Sequence, residues 1–445
     1  MPSALSITAA SVEPEILSLP WQLPLLDWPD DVTTSLPKGI SRHIVRFVQL
    51  GEHVIAIKET TPELAAAEYE MLRDLRRLKV PCVKPIAVIT NRRDTEDNEL
   101  PAALVTRHLK YSIPFRGLYS TTLRPDTAKR LVDALALLLV RLHTIGFFWG
   151  DVSLSNTLFR RDAGSFAAYL VDAETGRLYP QSLTDGQRAH DLDIARINIA
   201  GELMDLHAGG RIDPTIDPVD VADRILQVYD GLWHELNDPE LVDEKELWRI
   251  NKRVERLNTL GFDIGELDIQ TTDTGTTVRI QPKVVDAGHH ARRLLRLTGL
   301  DTQENQARRL LNDLDRYSAT VQIPDLDDEM KAHLWLTRVY EPVIRSVPAE
   351  YESKLEPAEV FHQVLEHRWY MCEEQNRDVP LNEAVRDYVE NVLKYRRDED
   401  VIVLPPTSSI TLPIDVVGED GFGWGDPEPP PRALDEPERD WRDLV

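Results

Sequence analysis

Asp151 and Asn156 stand five residues apart in the run Trp149-Gly150-Asp151-Val152-Ser153-Leu154-Ser155-Asn156. Alone, such a pair is common and reads as a loop or a cap. Here it follows a leucine-rich segment closing on Leu142-His143-Thr144-Ile145-Gly146. Sixteen residues after Asn156 comes Asp172, behind the apolar stretch Ala167-Ala168-Tyr169-Leu170-Val171. Far upstream, Lys58 ends the run Val54-Ile55-Ala56-Ile57-Lys58, with Glu68 and Glu70 on the next expected helix. Transfer of a phosphoryl group from a nucleotide to a hydroxyl needs this set of groups. A carboxylate must take the hydroxyl proton, and two oxygen ligands must hold magnesium against the phosphates. A cation must neutralise the α- and β-phosphates, and another carboxylate must hold that cation. Asp151, Asn156 with Asp172, Lys58 and Glu68 fill those roles in chain order, with ATP and Mg2+ as the cofactors implied. Glu68 is preferred to Glu70 and Glu63 because Ala65 to Ala67 allow close helix approach beside it. Gly39 and Ser41 are candidates for a phosphate loop, although a plain turn explains Gly39 equally well.

The elements that must position these groups are legible as patterns. His43 to Leu50 and His53 to Glu59 read as two strands about the turn Gly51-Glu52. Pro62 suits a helix start, and Glu63 to Leu78 has helical composition, stopped by Pro81. Pro85 to Thr90 and Ala102 to Leu109 read as further strands. From Asp126 the pattern turns helical, with Leu131, Leu135, Leu138 and Leu142 on one face and Gly146 closing the helix. Short strands follow near Thr157 to Phe159 and Ala168 to Val171, then a helix from about Leu192 to Leu206.

After Pro214 and Pro218 a second unit begins near Val242, with a helix to Leu260. GFDIGELDIQ and TTVRIQP, flanking Thr274-Gly275, read as a hairpin. Helices are expected over 287–298, 301–317, 327–339, 357–372 and 381–395, with Asp301 and Glu304 as a capping box for the second of these. The domains expected are an arm or short leading strand (1–20), an N-lobe (21–109), a C-lobe (110–240), an α-rich C-terminal domain (241–400) and a tail (401–445). The tail holds eight of the 30 prolines and ten acidic residues against three basic ones, a composition that predicts disorder.

Composition narrows the function classes. The 445 residues carry 51 Lys and Arg against 76 Asp and Glu, a net charge of −25. That charge makes the chain a poor candidate for general, salt-driven binding to nucleic acid or anionic lipid, and leaves a local basic patch open. Cys82 and Cys372 cannot make a disulfide framework, and no signal peptide is visible, which points to a reducing cytoplasm. The most apolar run, Leu131 to Leu142, is interrupted by Asp133 and Arg141 and is too short for a bilayer. The segment Arg249 to Arg316 is locally balanced, so its arginines read as helix-surface ion pairs more readily than as an anion site. His289 with His290, and His362 with His367, lack metal spacing on one helical face.

The run WGDVSLSN resembles the catalytic loop of eukaryotic-like atypical kinases, whose common form is His-Gly-Asp-Leu followed by Asn. It is similar to lipopolysaccharide core sugar kinases and aminoglycoside phosphotransferases. Its two serines also resemble the small atypical kinases that partner tRNA-modification proteins. VIAIK resembles the third-strand lysine motif, and LVDAET the metal-binding Asp motif. Residues from about 35 to about 235 are covered. The whole chain resembles a bacterial kinase-like family whose C-terminal half is domain of unknown function 4032. The residues that carry this likeness are LPKGISRHIVRF, ALVTRHL, LTGLDTQENQARRLLNDLDRY and AEVFHQVLEHRWYMCE.

The resemblance implies an α+β, two-lobed protein-kinase-like fold with an appended α-rich domain containing a β-hairpin. It implies no known substrate; the functional reading of the site residues is an ATP- and magnesium-dependent phosphotransferase acting on a hydroxyl, with a sugar, a lipid-linked glycan and a protein all open as acceptor and the C-terminal domain open to a protein partner. Asp191 and Asp193 match the segment that braces the catalytic loop. The sequence departs from the pattern in three places. Trp149 replaces the loop His, which predicts the loss of that residue's scaffolding contact. Ser153 stands where protein kinases carry a Lys, and no G-x-G-x-x-G precedes Lys58. The alternative is a nucleotide-binding pseudokinase that regulates or scaffolds, and adenylyl transfer by the same site is a third reading.

Overall fold

Lys58 is carried by an antiparallel sheet whose alternation separates a core face from a cleft face. The computed structural model describes residues 5–400 except 11–12, 35–42, 52, 116–117, 119–124, 239, 244–247, 260–261, 272–276, 322–325 and 397. The sheet contains β1 (Ser6–Ala9), β2 (Val45–Leu50), β3 (His53–Thr60), β4 (Lys84–Thr90) and β5 (Ala102–Arg107), in the order β1-β4-β5-β3-β2. On β3, Ile55, Ile57 and Glu59 are buried on one side, packed with Ile16, Trp21, Leu25 and Trp28. Period-two geometry sends Lys58 to the other side, where α1 (Pro62–Arg77) lies over the sheet. Thr61 caps α1 by accepting from the Leu64 amide.

The leading segment forms a short strand. Ser6 to Ala9 pair with Thr90 to Ala87 as an edge strand. Residues 21–25 are pinned by Arg92, a fully buried guanidinium that donates to the carbonyls of Trp21, Leu23 and Pro101 and to Glu59 at 2.7 Å.

The second lobe is built on α2 (Pro125–Thr144), whose expected leucine face is entirely buried. Gly146 follows at φ +84°, where a Cβ would lie 2.6 Å from the Gln181 carbonyl oxygen. Only glycine allows the chain to turn there into β7 (Phe147–Phe148). Next come β8 (Thr157–Asp162) and β9 (Ser165–Leu170), an antiparallel hairpin edged by β6 (Ile113–Pro114). Then β10 (Arg177–Leu178) pairs back onto β7. The loops after β7 and after β9 therefore emerge side by side. Two helices complete the lobe: α3 (Asp185–Ala208), opened by a Thr184/Gln187 capping box, and α4 (Pro218–Asn237), capped by Asp217.

Further along, β11 (Glu240–Asp243) precedes α5 (Trp248–Thr259) and the expected hairpin, β12 (Phe262–Thr271) with β13 (Thr277–Ala287). Val242 opens no helix. It pairs with Val278 along the free edge of β13, a long-range partner that local periodicity does not reveal. The α-rich part comprises α6 (His289–Thr298), α7 (Glu304–Val321), α8 (Asp328–Trp335), α9 (Glu341–Arg345), α10 (Pro357–Gln375) and α11 (Leu381–Asn391). Between α8 and α9 the Glu341 amide bonds the Leu336 carbonyl, five residues back, and Pro342 follows. The missing proline N–H accounts for the widened turn. Trp335, Tyr340, Phe361 and Tyr388 anchor a hydrophobic core distinct from that of the second lobe.

The capping box expected at Asp301 and Glu304 does not form. Glu304 instead accepts from the His290 and Ala291 amides and so caps α6. The α7 amide of Gln306 is capped at 2.8 Å by Asp162, which arrives from β8. Among the described residues, no helix is long and apolar enough to cross a membrane. The acidic tail, with Phe422, Trp424 and Trp441, lies outside the described residues.

Candidate active site

Three elements bring the predicted charged residues together. Lys58 on β3 places its Nζ 2.6 Å from Glu68 on α1, 3.1 Å from Asp172 after β9 and 3.1 Å from Glu174. Glu70 points elsewhere, exposed and paired with Arg73, and Glu63 is exposed in the first turn. Glu68 also accepts from the Ala173 amide. Burial alone would lower the Lys58 pKa, but Glu68, Asp172 and Glu174 outweigh it and hold the ammonium form well above its usual range. Burial, with Asp172 adding to it and Lys58 opposing it, pushes the Glu68 carboxyl up to about 7.

Asp151 and Asn156 are locked to each other. The Asn156 Nδ2 donates to the Asp151 carbonyl at 3.0 Å and to its carboxylate at 3.1 Å. The Asn198 Nδ2 donates to the Val152 carbonyl and, at 3.4 Å, to Asp151. Ser153 turns its hydroxyl onto the Asn156 amide, and Glu202 accepts from the amides of Leu154 and Ser155. The loop is thus held by side chains of α3, a helix whose Asn198 and Glu202 carried no sequence signal of their own.

The contact expected to be lost with the loop His is made differently. Trp149 is fully buried, and its indole Nε1 donates to the Asp172 carbonyl at 2.8 Å. A larger ring with one N–H can still tie the catalytic loop to the metal-binding loop. Asp191 accepts from the Trp149 and Gly150 amides, each at 2.8 Å, and lies 3.1 Å from His143, whose other nitrogen meets the Tyr229 hydroxyl. This is the brace expected of Asp191; Asp193 is exposed.

Glu174 was missed. Asp172 accepts from the Glu174 amide at 2.9 Å, a turn two residues long that folds Glu174 back toward Lys58. Its carboxylate also meets His43 Nε2 at 2.9 Å. A second carboxylate two positions beyond Asp172 was the available signal. Ligand oxygens of Glu68, Asp172 and Glu174 all lie within 4.8 Å of one another. Hard carboxylate and amide oxygens are the donors magnesium takes. Asn156 spends its amide hydrogens on Asp151, which keeps Oδ1 available as such a donor. Gly39 and Ser41 lie outside the described residues.

Beside Gly150 a cavity of about 670 Å³ opens, lined among others by Phe148, Thr175, Arg177, Tyr179 and His190. The Phe148 and His190 rings stack there at 5.9 Å.

Residues 55–201 match the lipopolysaccharide kinase (Kdo/WaaP) family, and residues 231–393 match the domain of unknown function DUF4032. The resemblance read from the sequence is borne out: a lipopolysaccharide-kinase-like segment with a two-lobed kinase-like fold is joined to that domain, α-rich and with its hairpin. Among solved structures, one of WaaP in complex with acyl carrier protein is 15% identical, at a TM-score of 0.34. The match covers 57% of this chain and 99% of that one. The yeast RNA Pol II CTD kinase CTDK-1 complex is 14% identical over 33% of this chain and 50% of that one, at 0.24. No curated protein matches the chain.

Proposed function

We propose that the protein is an ATP- and magnesium-dependent phosphotransferase acting on a hydroxyl. The observation that carries this reading is the convergence on Lys58 of Glu68 and Asp172, from two other elements, beside a loop on which Asp151 is fixed by Asn156. Lys58 would contact the α- and β-phosphates, with Glu68 keeping its ammonium group in place. Asp172, Glu174 and the Asn156 amide oxygen would hold magnesium. When bound, that ion would offset the negative charge of the phosphates. Asp151 would accept the proton of the attacking hydroxyl on its carboxylate. The bond formed joins the acceptor oxygen to the γ-phosphorus, and the bond broken is the one to the β–γ bridging oxygen.

A sugar, a lipid-linked glycan and a protein Ser or Thr all remain in the acceptor class. A reducing cytoplasm suits the two thiols, neither of which is paired. Calorimetric titration with ATP tests the reading. Binding should strengthen with magnesium, and Asp172→Ala should remove the metal-dependent part. A chain that binds no nucleotide at any magnesium concentration would overturn it.

A further inference from the structure

The β8–β9 hairpin joins two of the three proposed magnesium ligands, Asn156 and Asp172. At its open end Asn156 precedes β8 and Asp172 follows β9, and the Val171 amide bonds the Asn156 carbonyl at 3.1 Å. Phe159, Phe166, Ala168 and Leu170 pack into the core that α2 shares, and near that end Leu170 donates to the Pro81 carbonyl and accepts from the Val83 amide, each at 3.0 Å. The hairpin's closed end is where the C-terminal domain takes hold.

The grip is polar and buried. Asp162 accepts from the Gln306 amide at 2.8 Å and from the Asn305 side chain at 3.0 Å. Glu359, on α10, accepts from the Ala163 amide at 3.0 Å, from Gln306 Nε2 at 3.0 Å and from Gln363 at 2.8 Å. Gln306 also donates to the Arg161 carbonyl. Ion pairs flank these contacts, Arg160 with Glu356 at 2.5 Å and Arg161 with Glu399 at 2.6 Å. Asp162, Gln306 and Glu359 are each at most 3% exposed. Ala163 sits at φ +50°, a left-handed conformation that costs an alanine free energy and that the captured amide helps to hold.

A buried charged network stabilises little beyond an apolar surface of the same shape, but it admits one geometry. An interface needed only for cohesion would not require it. We propose that the C-terminal domain is a clamp on the hairpin, with Glu359 and Gln306 as positioning residues that set the spacing of Asn156 and Asp172. The domain of unknown function thereby acquires a role in the metal dependence of the site, without touching nucleotide. This inference rests on the phosphotransferase reading.

The test uses the full chain, as wild type, Glu359→Gln and the milder Asn305→Ala. Hydrogen exchange over residues 157–170 reads the hairpin directly, and titration with ATP at varied magnesium reads the ligands. Both variants should keep the wild-type circular dichroism spectrum and exchange the hairpin amides roughly tenfold faster. The magnesium concentration for half-maximal ATP binding should rise roughly 2–30-fold, with metal-free ATP affinity unchanged. If Glu359→Gln fails to fold, Asn305→Ala, which removes a single bond, decides. Unchanged hairpin exchange, or loosened exchange with wild-type magnesium dependence, overturns the clamp alone. A wild type that binds no nucleotide overturns the phosphotransferase reading and the clamp together.

Discussion

Replacing Trp149 with Phe tests how the catalytic loop is tied to the metal-binding loop. The side chain is fully buried, and its indole N–H is bonded to the Asp172 carbonyl at 2.8 Å. Phe would leave about 40 Å³ unfilled, worth about 1 kcal/mol at the usual cost of cavity volume. The lost apolar contact adds about 1 kcal/mol, and the lost hydrogen bond about another. Urea denaturation should therefore show Trp149→Phe destabilised by about 3 kcal/mol. Trp369→Phe is the control, because Trp369 is 57% exposed and should change stability by less than about 0.5 kcal/mol. Trp149→Phe should also weaken the magnesium-dependent part of ATP binding, since the Asp172 backbone loses its tether. A destabilisation below about 1 kcal/mol, with metal dependence intact, would refute the tether.

Three further outcomes are expected. Asp151→Asn should keep ATP affinity within a few-fold while cutting turnover by roughly 10²–10⁴, whereas Lys58→Met should impair both, as paired titration and turnover assays would show. Arg92→Leu should cost about 3–5 kcal/mol in urea melts, because it leaves Glu59 buried without its cation. The Glu356 carboxyl is pushed up from 4.5 to about 7, by burial first, against the opposing pull of Arg160. It binds its proton more tightly folded than unfolded, so its contribution to stability is complete below about pH 4.5 and is lost as pH rises through about 7. Over pH 8 to 5, acidification should thus stabilise the wild type relative to Glu356→Gln, and parallel stability curves would contradict this.

The elements of both lobes were legible because their signals are local. The leucine face of α2, the alternation on β3 and the glycine at 146 each state a period or a backbone requirement within a few residues. The grouping of Lys58, Glu68 and Asp172 was legible through residue order in a pattern of chemistry. What stayed hidden depends on distant partners. Val242 joins a strand edge contributed by residues 35 or more positions away. Asp162 caps a helix that begins after residue 300, and Glu304 was therefore released to cap α6. Trp149 looked like a loss because a motif compares residue types, while the structure needs only a ring N–H at the right distance from Asp172. Glu174 lay in the quoted run, but no spacing rule says that a tight turn returns it to Lys58.

The central claim is transfer of the γ-phosphoryl group, and labelled ATP tests it most directly. The full chain is incubated with extract of its source cells and ATP labelled at either the α- or the γ-phosphate, with and without magnesium. Label should pass from the γ-position alone to an acceptor, only with magnesium, and Asp151→Asn should abolish the transfer. Transfer of the α-label instead, or binding of ATP with no transfer from either position, would contradict the phosphotransferase account.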